Sequence, residues 1–552
     1  MPSKRSESQI KLEEIGKILR TSLVQPTTYR HGSIGVITLL ITHDPFLCLP
    51  NRSTAVSYTP RALPIMSCDV GLFGLAVMGQ NFALNMASHG FKVCVGNRTL
   101  SKVDTTIERA KKEGDLSVLG SSSPEDFCAQ LSKPRKIIIL IQAGKPVDDL
   151  IANLSQYLEE GDVIVDGGNE WFPNSVRRAK ELEEKGIMFV GMGVSGGEEG
   201  ARNGPSLMPG GPKEAYDLLE PILTKCAAQV GNTPCTGYLG PVGAGNYVKM
   251  VHNGIEYGDM QLIGEVYDIL KTIMNMDNEA MAQLFQEWNE GDLESYLIEI
   301  TYKILAKKDD ITGEGYVLDY ILDKTGMKGT GRWTVQEAAE QSVAAPTIAA
   351  SLDTRYISGR KDERVAASEI LEGPPAMPKI DTTQLLEDLQ AALYCSKVCS
   401  YAQGISLIKT ASEKYEWGVN LSLCARMWRG GCIIRARLLN KISAALERDP
   451  GLTNLMVDPT FSAELNARQM SWRRVVTASV AAGITCPALS ASLAYYDQYR
   501  RASLPASLTQ AQRDFFGGHT YERTDREGTF HCAWTDAHKD IGDLSGRTKG
   551  EL

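Results

Sequence analysis

The sequence has no excess of basic residues and no long apolar run. Its 552 residues include 58 Lys and Arg against 67 Asp and Glu, which gives a formal net charge of −9. A chain with this balance lacks the broad cationic field that holds a polyanion, so we expect no nucleic-acid partner. Because no run reaches the about 18 apolar residues of a transmembrane helix, we also expect no membrane span.

Cysteine pairs with the spacing of a zinc site are also absent from the sequence. The twelve cysteines are scattered without a C-x-x-C pair, and Cys395 and Cys399 have no histidine near them. We therefore expect no metal ion, and we expect reduced thiols as in intracellular proteins. With 43% hydrophobic and 23% charged residues, the chain has the composition of a soluble globular protein, and its length indicates two or three domains.

The first 65 residues differ from the rest. They hold eight Lys or Arg against four acidic residues, and their apolar run Gly35–Thr42 is short. Two interpretations stay open: an organelle-targeting presequence, or an upstream extension of a chain that functions from Met66. Acidic residues Glu7, Glu13 and Glu14 argue against a presequence. We expect a cytoplasmic protein, or a plastid protein if residues 1–65 are a transit peptide.

Short β-branched runs alternate with helical patterns between residue 67 and about residue 240. This alternation predicts a parallel, doubly wound sheet in a Rossmann-like dinucleotide-binding domain, residues 66–241. The predicted strands are Asp69–Phe73, Lys92–Gly96, Lys136–Ile141, Asp162–Asp166 and Ile187–Gly191, and the predicted helices include Gln80–His89, Leu100–Lys112 and Pro173–Lys185.

Long helical periodicities follow and predict a large all-α domain over residues 242–500. They include Asn246–Ile273, Asn278–Trp288, Leu293–Leu305, Val335–Glu340, Lys361–Leu371, Thr382–Glu413 and Leu421–Ala445. Residues 501–552 form an extended polar tail with little periodicity. Because such a tail cannot build its own core, we expect it to lie on this chain or on a neighbouring subunit.

A dinucleotide fingerprint follows the first predicted strand, with alanine in place of the middle glycine. Gly74 permits the tight turn, Ala76 is small enough for a pyrophosphate to approach, and Gly79 lets helix and strand pack closely. The helix N-terminus supplies N–H groups for the phosphates. The residues expected at the cofactor are Gly74, Leu75, Ala76, Val77, Met78 and Gly79.

The end of the second predicted strand favours NADP over NAD. It reads Asn97-Arg98-Thr99, where an NAD site usually carries Asp or Glu for the ribose 2′-hydroxyl. A carboxylate would repel a 2′-phosphate, whereas Arg98 would bind it as a bidentate partner, with Lys102 near enough to help.

A polar stripe runs along the predicted helix Asn246–Ile273. Lys249, His252, Asn253 and Glu256 fall at i, i+3, i+4 and i+7, which is one helix face. The other faces are apolar, with Val248, Met250, Val251, Ile255 and Met260, and we expect them to be buried. Buried ionisable groups are costly unless they are paired or used. Two interpretations follow: a base and an acid that line a cleft, or a satisfied polar network between packed helices.

Several loops are candidates for an anionic substrate. Ser195-Gly196-Gly197 ends a predicted strand and can present N–H groups and a hydroxyl to a carboxylate. Asn169 follows the neighbouring predicted strand at the same rim. Lys328 lies between glycines, as in a phosphate contact. Other possible anion binders are Arg355, Arg513 and His519, each of which taken singly is typical of a surface or packing residue.

From Met66 to about Phe530 the chain resembles the decarboxylating 6-phosphogluconate dehydrogenases, in particular their plant-type members. The blocks that carry the resemblance include GLAVMGQN at Gly74, NRTLSKVD at Asn97, DGGNEW at Asp166, GVSGGEEGARNGPSLMPGG at Gly193, VKMVHNGIEYGDMQ at Val248, DKTGMKGTGRW at Asp323, MWRGGCIIR at Met427 and LPASLTQAQRDFFGGHTYER at Leu504.

The resemblance implies that 6-phosphogluconate and NADP⁺ give ribulose 5-phosphate, CO₂ and NADPH in the pentose phosphate pathway, without a metal. It implies that Lys249 is the general base and Glu256 the general acid. It also implies a homodimer in which the tail of one subunit completes the partner's site. The implied cofactor contacts add Ile141, Gln142, Ala143 and Asn169, and the implied substrate contacts are Asn169, Ser195, Gly196, Gly197, His252, Asn253, Tyr257, Lys328 and Arg355, with Arg513 and His519 from the tail.

The sequence departs from the family pattern at one of these contacts and at two residues beside the tail contacts. Gln142 stands where the family usually has Lys, which removes a positive charge near the cofactor. Gly518 replaces a usual Ala and Phe515 a usual Tyr in the tail. Two other functions are open alternatives: a 3-hydroxyacid dehydrogenase for an unphosphorylated acid, and a catalytically silent NADP-binding scaffold. The intact Lys249 and Glu256 argue against a silent scaffold.

Overall fold

A seven-stranded sheet forms the first part of the chain. The computed structural model describes residues 67–535, so the predicted extension 1–65 lies outside the described residues. The strand order is β3-β2-β1-β4-β5-β6-β7, with β7 antiparallel and the others parallel. The strands are β1 Val70–Phe73, β2 Val93–Gly96, β3 Val118–Gly120, β4 Lys136–Ile139, β5 Val163–Asp166, β6 Met188–Ser195 and β7 Ser206–Gly210.

Helices connect these strands and cover the sheet. They are α1 Val77–Ser88, α2 Leu100–Lys112, α3 Pro124–Ala129, α4 Lys145–Leu154, α5 Phe172–Glu183, α6 Gly197–Asn203 and α7 Lys213–Cys226. All five predicted strands are present, which confirms the doubly wound sheet. The sequence prediction missed β3, which has three residues, and β7, whose Pro209 and Gly210 are unusual in strands.

The strand order reverses between β1 and β4, and this reversal opens a crevice at their carboxyl ends. The loop that begins at Gly74 follows β1, and the loop of residues 140–144 follows β4. The loop after β5, residues 167–171, lies at the same edge because β5 pairs with β4 in parallel. The fold therefore brings three predicted ligand-binding loops together.

The second part of the chain is helical, as predicted. After a short hairpin of β8 Gln229–Val230 and β9 Thr233–Pro234, its helices are α8 Ala244–Thr272, α9 Asn278–Trp288, α10 Tyr296–Ala306, α11 Val317–Tyr320, α12 Thr330–Glu340, α13 Pro346–Ser358, α14 Lys361–Ser368, α15 Thr382–Lys414, α16 Leu421–Met427, α17 Leu438–Arg448, α18 Pro459–Ala481, α19 Pro487–Tyr499 and α20 Ala506–Gly517. The two longest, α8 and α15, pack against each other inside one apolar core.

The predicted single helix Leu421–Ala445 is wrong, because the chain forms α16 and α17 with a break between them. Gly431 lies in the break with a φ of +63°. A Cβ atom at Gly431 would lie 2.4 Å from the carbonyl oxygen of Gly204, so the backbone passes too close to the sheet domain for any other residue.

The tail holds more structure than its weak periodicity predicted. It contains α20 and a hairpin of β10 Tyr521–Glu522 and β11 Thr529–Phe530. Buried Asp514 organises it, because this carboxylate accepts hydrogen bonds from Thr520 N, His531 Nδ1, Cys532 N and Trp534 Nε1. A single buried polar residue thus replaces the apolar core that the tail lacks.

Between residues 67 and 535, no helix combines the length and apolarity needed to cross a membrane. The domain boundaries at residues 66–241, 242–500 and 501–552 stay predictions.

Candidate active site

Helix α8 lies against strand β6 at points where the strand has glycine. A Cβ atom added at Gly191 would lie 1.9 Å from Asn246 Oδ1, and one added at Gly193 would lie 2.3 Å from Lys249 Cβ. Both distances are far below van der Waals contact. The glycines of β6 therefore let α8 approach the sheet and bring the Lys249 side chain across the end of the strand.

Three of the four residues of the predicted stripe on α8, namely Lys249, His252 and Asn253, belong to one hydrogen-bonded group. Asn253 Oδ1 accepts from Lys249 Nζ and from His252 Nδ1, both at 2.9 Å. Asn253 Nδ2 donates to Thr330 Oγ1 at 3.1 Å, and Ser195 Oγ lies 3.4 Å from His252 Nε2. The predicted residues Lys249, His252, Asn253 and Ser195 are thus brought together.

Burial shifts the pKa values of this group in useful directions. Lys249 is 5% exposed, and desolvation lowers the pKa of its amine, although nearby Glu256 works in the opposite direction. Desolvation raises the pKa of Glu256, against the smaller effects of Lys249 and Arg355. The pKa of His252 falls well below its ordinary value, first because the ring is fully buried and then because Lys249 is close. The helix therefore favours a neutral amine, a protonated carboxyl and a neutral imidazole.

We expect Gly193→Ala to reduce turnover about tenfold, because the new methyl group pushes Lys249 away from its place beside Asn253. The affinity for the cofactor should hardly change, since the cofactor loops lie at other strands. Steady-state kinetics and a cofactor titration measure the two effects. A variant with wild-type turnover would show that the position of the Lys249 side chain does not depend on glycine at residue 193.

A second group collects predicted phosphate-binding residues beside α8. The Arg355 guanidinium lies 3.4 Å from the centroid of the Tyr257 ring, and its Nη1 donates to the carbonyl of Gly326 at 3.3 Å. Gly331 also touches this ring, since a Cβ atom there would lie 2.4 Å from Tyr257 Cε2. Exposed Lys328 belongs to the same glycine-rich loop. This group can bind an anion at one end of the helix stripe.

The structure places Arg513 and His519 among residues of the tail. Arg513 Nη1 donates to Gln510 Oε1 at 3.0 Å, and the His519 ring packs edge-on against Phe516. Both residues are exposed. The described contacts therefore do not join them to Lys328 and Arg355, and their assignment to a partner's site stays a prediction.

The fingerprint loop has the shape of a phosphate cradle. Gly74 has a φ of +110°, and a Cβ atom there would lie 2.4 Å from Leu140 O. A Cβ atom on Gly79 would lie 1.8 Å from Gly74 O, so helix α1 packs directly on the turn. Ala76 caps α1 without a side-chain hydrogen bond, which leaves first-turn N–H groups for a ligand. These residues fit a dinucleotide.

The end of β2 supports the fingerprint loop and presents a cation. Asn97 Oδ1 accepts from the Leu75 N–H at 2.9 Å, which ties the two loops together. Arg98 and Thr99 are exposed beside it. The end of β2 therefore presents Arg98 at the position where a site selective for NAD carries a carboxylate. Val77 and Gln142 are exposed, Met78, Ile141 and Ala143 are half-buried, and Asn169 is exposed.

Two features of the site were not found from the sequence. Thr330 holds Asn253, but its only sequence signal is its place at the start of α12 after Gly329. Met260 was predicted to be buried, and this is wrong: it is 42% exposed, and its sulfur contacts Arg355 Nη2 at 3.5 Å. Across the described stretch of chain, no cluster of three or more His, Cys, Asp or Glu side chains is arranged to hold a metal ion.

Comparisons with known proteins give the same assignment for both parts of the chain. Residues 69–240 match the NAD binding domain of 6-phosphogluconate dehydrogenase, and residues 245–534 match the 6-phosphogluconate dehydrogenase C-terminal domain. The 6-phosphogluconate dehydrogenase, decarboxylating 1, of Spinacia oleracea is 58% identical over 470 residues, which are 84% of this chain and 97% of the relative. The chain belongs to the 6-phosphogluconate dehydrogenase family.

Other members of the 6-phosphogluconate dehydrogenase family agree. The chloroplastic decarboxylating enzyme 3 of Arabidopsis thaliana is 58% identical over 473 residues, which are 84% of this chain and 97% of the relative. A solved Plasmodium falciparum 6-phosphogluconate dehydrogenase, described as apo and with NADP⁺ or 6-phosphogluconate, is 51% identical with a TM-score of 0.82, and the match covers 85% of this chain and all of that one. The predicted family and fold class are confirmed.

Proposed function

We propose that Lys249 and Glu256 carry out the proton transfers in an NADP-dependent oxidative decarboxylation of 6-phosphogluconate. One observation carries the proposal: a buried amine with a lowered pKa and a half-buried carboxyl with a raised pKa lie seven residues apart on helix α8. Two helical turns separate them by about 10 Å along the axis. This separation suits two groups that act on different carbon atoms of one sugar acid.

Lys249 acts first, as the base for the C3 hydroxyl. Its amine donates to Asn253 Oδ1, so the lone pair of the neutral amine stays free to accept the hydroxyl proton. Bound NADP⁺ accepts the hydride from C3. The resulting 3-keto acid loses CO₂ readily when its carbonyl oxygen is polarised, and protonated Lys249 supplies that positive charge. No metal ion is needed for these steps.

Glu256 acts second, as the acid that gives a proton to C1 of the enediol left after CO₂ departs. Burial keeps the carboxyl protonated to a higher pH than usual, which an acid needs. Lys249 returns its proton to the C3 oxygen as CO₂ departs and takes it back as Glu256 protonates C1 of the enediol. Over the whole reaction one proton therefore passes from the C3 hydroxyl to Lys249 and one passes from Glu256 to carbon. Ser195, His252 and Asn253 hold the sugar acid between the two groups.

One assay tests the function against its alternatives. NADPH should form with 6-phosphogluconate, together with an equal amount of CO₂. No NADPH should form with gluconate or 3-hydroxyisobutyrate, because they cannot engage Lys328 and Arg355 through a phosphate. NADPH from 3-hydroxyisobutyrate would indicate the other dehydrogenase class, and NADP⁺ binding without turnover would indicate a silent scaffold.

We expect Arg98→Asp to raise the dissociation constant of NADP⁺ at least about tenfold, because it replaces a charge-assisted hydrogen bond with repulsion of the 2′-phosphate. The affinity for NAD⁺ should change little or increase. Fluorescence titration with both nucleotides measures the ratio. Equal losses for the two nucleotides would refute the assignment of Arg98.

We also propose that the enzyme is a homodimer in which Arg513 and His519 of one subunit reach the other's phosphate-binding group. Several large apolar side chains between residues 321 and 371 are more than half exposed, as expected of a surface that another subunit covers. They are Ile321 at 58%, Leu322 at 60%, Ile357 at 57%, Val365 at 51%, Ile370 at 78% and Leu371 at 73%.

Mixing two inactive variants tests the shared site. Lys249→Met and Arg513→Ala chains should each be inactive or nearly so. After unfolding and joint refolding, activity should return, because a mixed dimer contains one site with both an intact Lys249 and an intact tail from the other subunit. No recovery, in mixtures that light scattering shows to be dimers, would place Arg513 in the site of its own chain or outside any site.

The compartment depends on residues 1–65, which lie outside the described residues. Some relatives are named as chloroplastic and others are not. The N-terminal residue of the protein isolated from cells distinguishes the two interpretations: a start at a cleavage site within residues 1–65 indicates a processed presequence, and a start at Met66 indicates translation from Met66.

A further inference from the structure

A buried arginine on α5 joins two loops of the cofactor crevice. Arg178 is 1% exposed, yet all three of its guanidinium nitrogens are bound. Nε donates to Asp148 Oδ1 at 2.7 Å, and Nη2 donates to the carbonyl of Gly144 at 3.0 Å. Nη1 donates to Asp166 Oδ2 at 3.1 Å and to Glu170 Oε2 at 2.7 Å. The Arg178 guanidinium thus contacts β5, α4, the loop of residues 140–144 and the loop of residues 167–171 at once.

Glu170 completes the connection from the other side. Its Oε2 accepts from the N–H of Gly144 at 2.8 Å, so both backbone groups of Gly144 are held by the Arg178–Glu170 pair. Its Oε1 accepts from the N–H of Trp171 at 2.8 Å and from Asn174 Nδ2 at 3.0 Å. The pair therefore fixes the end of the loop that carries Ile141, Gln142 and Ala143.

The same cluster fixes the backbone on both sides of Asn169. The N–H of Gly168 donates to Asp166 Oδ1 at 3.0 Å, and Glu170 is held by Arg178. Asn169 itself is exposed between these anchored neighbours. A loop residue with fixed flanks and an exposed side chain is positioned for a ligand at low entropic cost.

The charges of the cluster argue for more than stability. One buried guanidinium faces the carboxylates of Asp148, Asp166 and Glu170, and a packed apolar group of the same size is often at least as stabilising as a buried ion pair. Burial raises the pKa of Asp166 to about 6, even with its hydrogen bond from Gly168 and its contact with Arg178. A cluster that is this costly to bury, and that touches two ligand loops, has a positioning role that repays the cost.

We propose that Arg178 and Glu170 are positioning residues that lock the 141–144 loop and Asn169 into one arrangement, which sets how tightly and in what orientation NADP is held. This inference rests on the proposed function, since it takes those loops to be the cofactor site. The loop that Glu170 fixes also touches the substrate side of the site. The ring of Trp171, the residue after Glu170, packs edge to face against the ring of Trp333, with centroids 5.5 Å apart. Trp333 belongs to α12, which begins at Thr330, the partner of Asn253.

The test compares Glu170→Gln and Arg178→Lys with Arg177→Lys as a matched control. Arg177 is the next residue on α5 and also binds Asp148, but it is exposed and its bonds reach Asp148 and Glu181 rather than Gly144 or Glu170. In either test variant the dissociation constant of NADP⁺ should rise about tenfold or more, because the variant weakens the hydrogen bonds that hold Gly144 and so orient the cofactor-binding loop. The dissociation constant of 6-phosphogluconate, titrated without cofactor, should rise clearly less, by about threefold at most, because only Asn169 among the implied substrate contacts lies in the fixed loops.

A second readout separates positioning from folding. The deuterium isotope effect with 3-deuterated 6-phosphogluconate should increase in the test variants, because a misplaced nicotinamide slows hydride transfer itself. Arg177→Lys should match the wild type in both titrations and in the isotope effect. Loss of thermal stability with unchanged NADP⁺ affinity would overturn the proposal, and so would equal losses of affinity for the two ligands. A wild-type chain that does not bind NADP⁺ would instead refute the proposed function.

Discussion

The Lys249→Met variant is expected to bind 6-phosphogluconate and NADP⁺ and to form NADPH at least about 1000-fold more slowly than the wild type. Methionine fills nearly the same buried volume as lysine but cannot accept a proton. Lys249 is 5% exposed, so bulk water cannot easily take over its role. Because Asn253 and His252 keep their own hydrogen bond, the substrate pocket should stay formed. Single-turnover measurements of NADPH formation and separate titrations of each ligand check the result.

Lys271→Met is the matched control for this variant. Lys271 lies in the last turn of the same helix, and its side chain is 49% exposed beside Asp319. An exposed ion pair of this kind contributes at most about 1 kcal/mol, so this variant should keep wild-type turnover. Substantial NADPH formation by Lys249→Met would exclude Lys249 as the essential base.

Helix α8 shows how far the sequence alone leads. The predicted range Asn246–Ile273 agrees with Ala244–Thr272 to within two residues, because a long segment with strong periodicity leaves little choice. The fingerprint turn at Gly74 was also predictable, since the tight turn and the close packing of helix on strand each require glycine. The roles of Lys249 and Glu256 came from the family resemblance, and the helix spacing alone left a structural network as an equal alternative.

What the sequence could not give depends on contacts between distant segments. Thr330 meets Asn253 from 77 residues away, and Arg178 meets Gly144 from 34 residues away. Neither contact leaves a local pattern, because any polar residue at those positions would read as a surface residue. The split between α16 and α17 likewise depends on the approach of Gly431 to Gly204, which only the folded chain reveals.

The Glu256→Gln variant is expected to turn over about 100-fold more slowly while 6-phosphogluconate still binds. Glutamine keeps the size and hydrogen-bonding capacity of the side chain but has no proton to give to C1. Burial lowers the pKa of Lys249 and raises that of Glu256, so the base becomes available at lower pH and the acid persists to higher pH. The wild type should therefore show a bell-shaped pH profile. The variant should lose the fall at high pH, because that limb reports the deprotonation of Glu256.

Glu256→Asp tests whether the carboxyl or its neighbourhood is responsible. Aspartate keeps a titrating group on a side chain one methylene shorter, so this variant should retain both limbs of the pH profile at reduced turnover. A purely structural role predicts the reverse order, because glutamine preserves the packing around α8 better than aspartate does. If Glu256→Gln were the more active of the two, or kept both limbs, the proton for C1 would have to come from another group or from water.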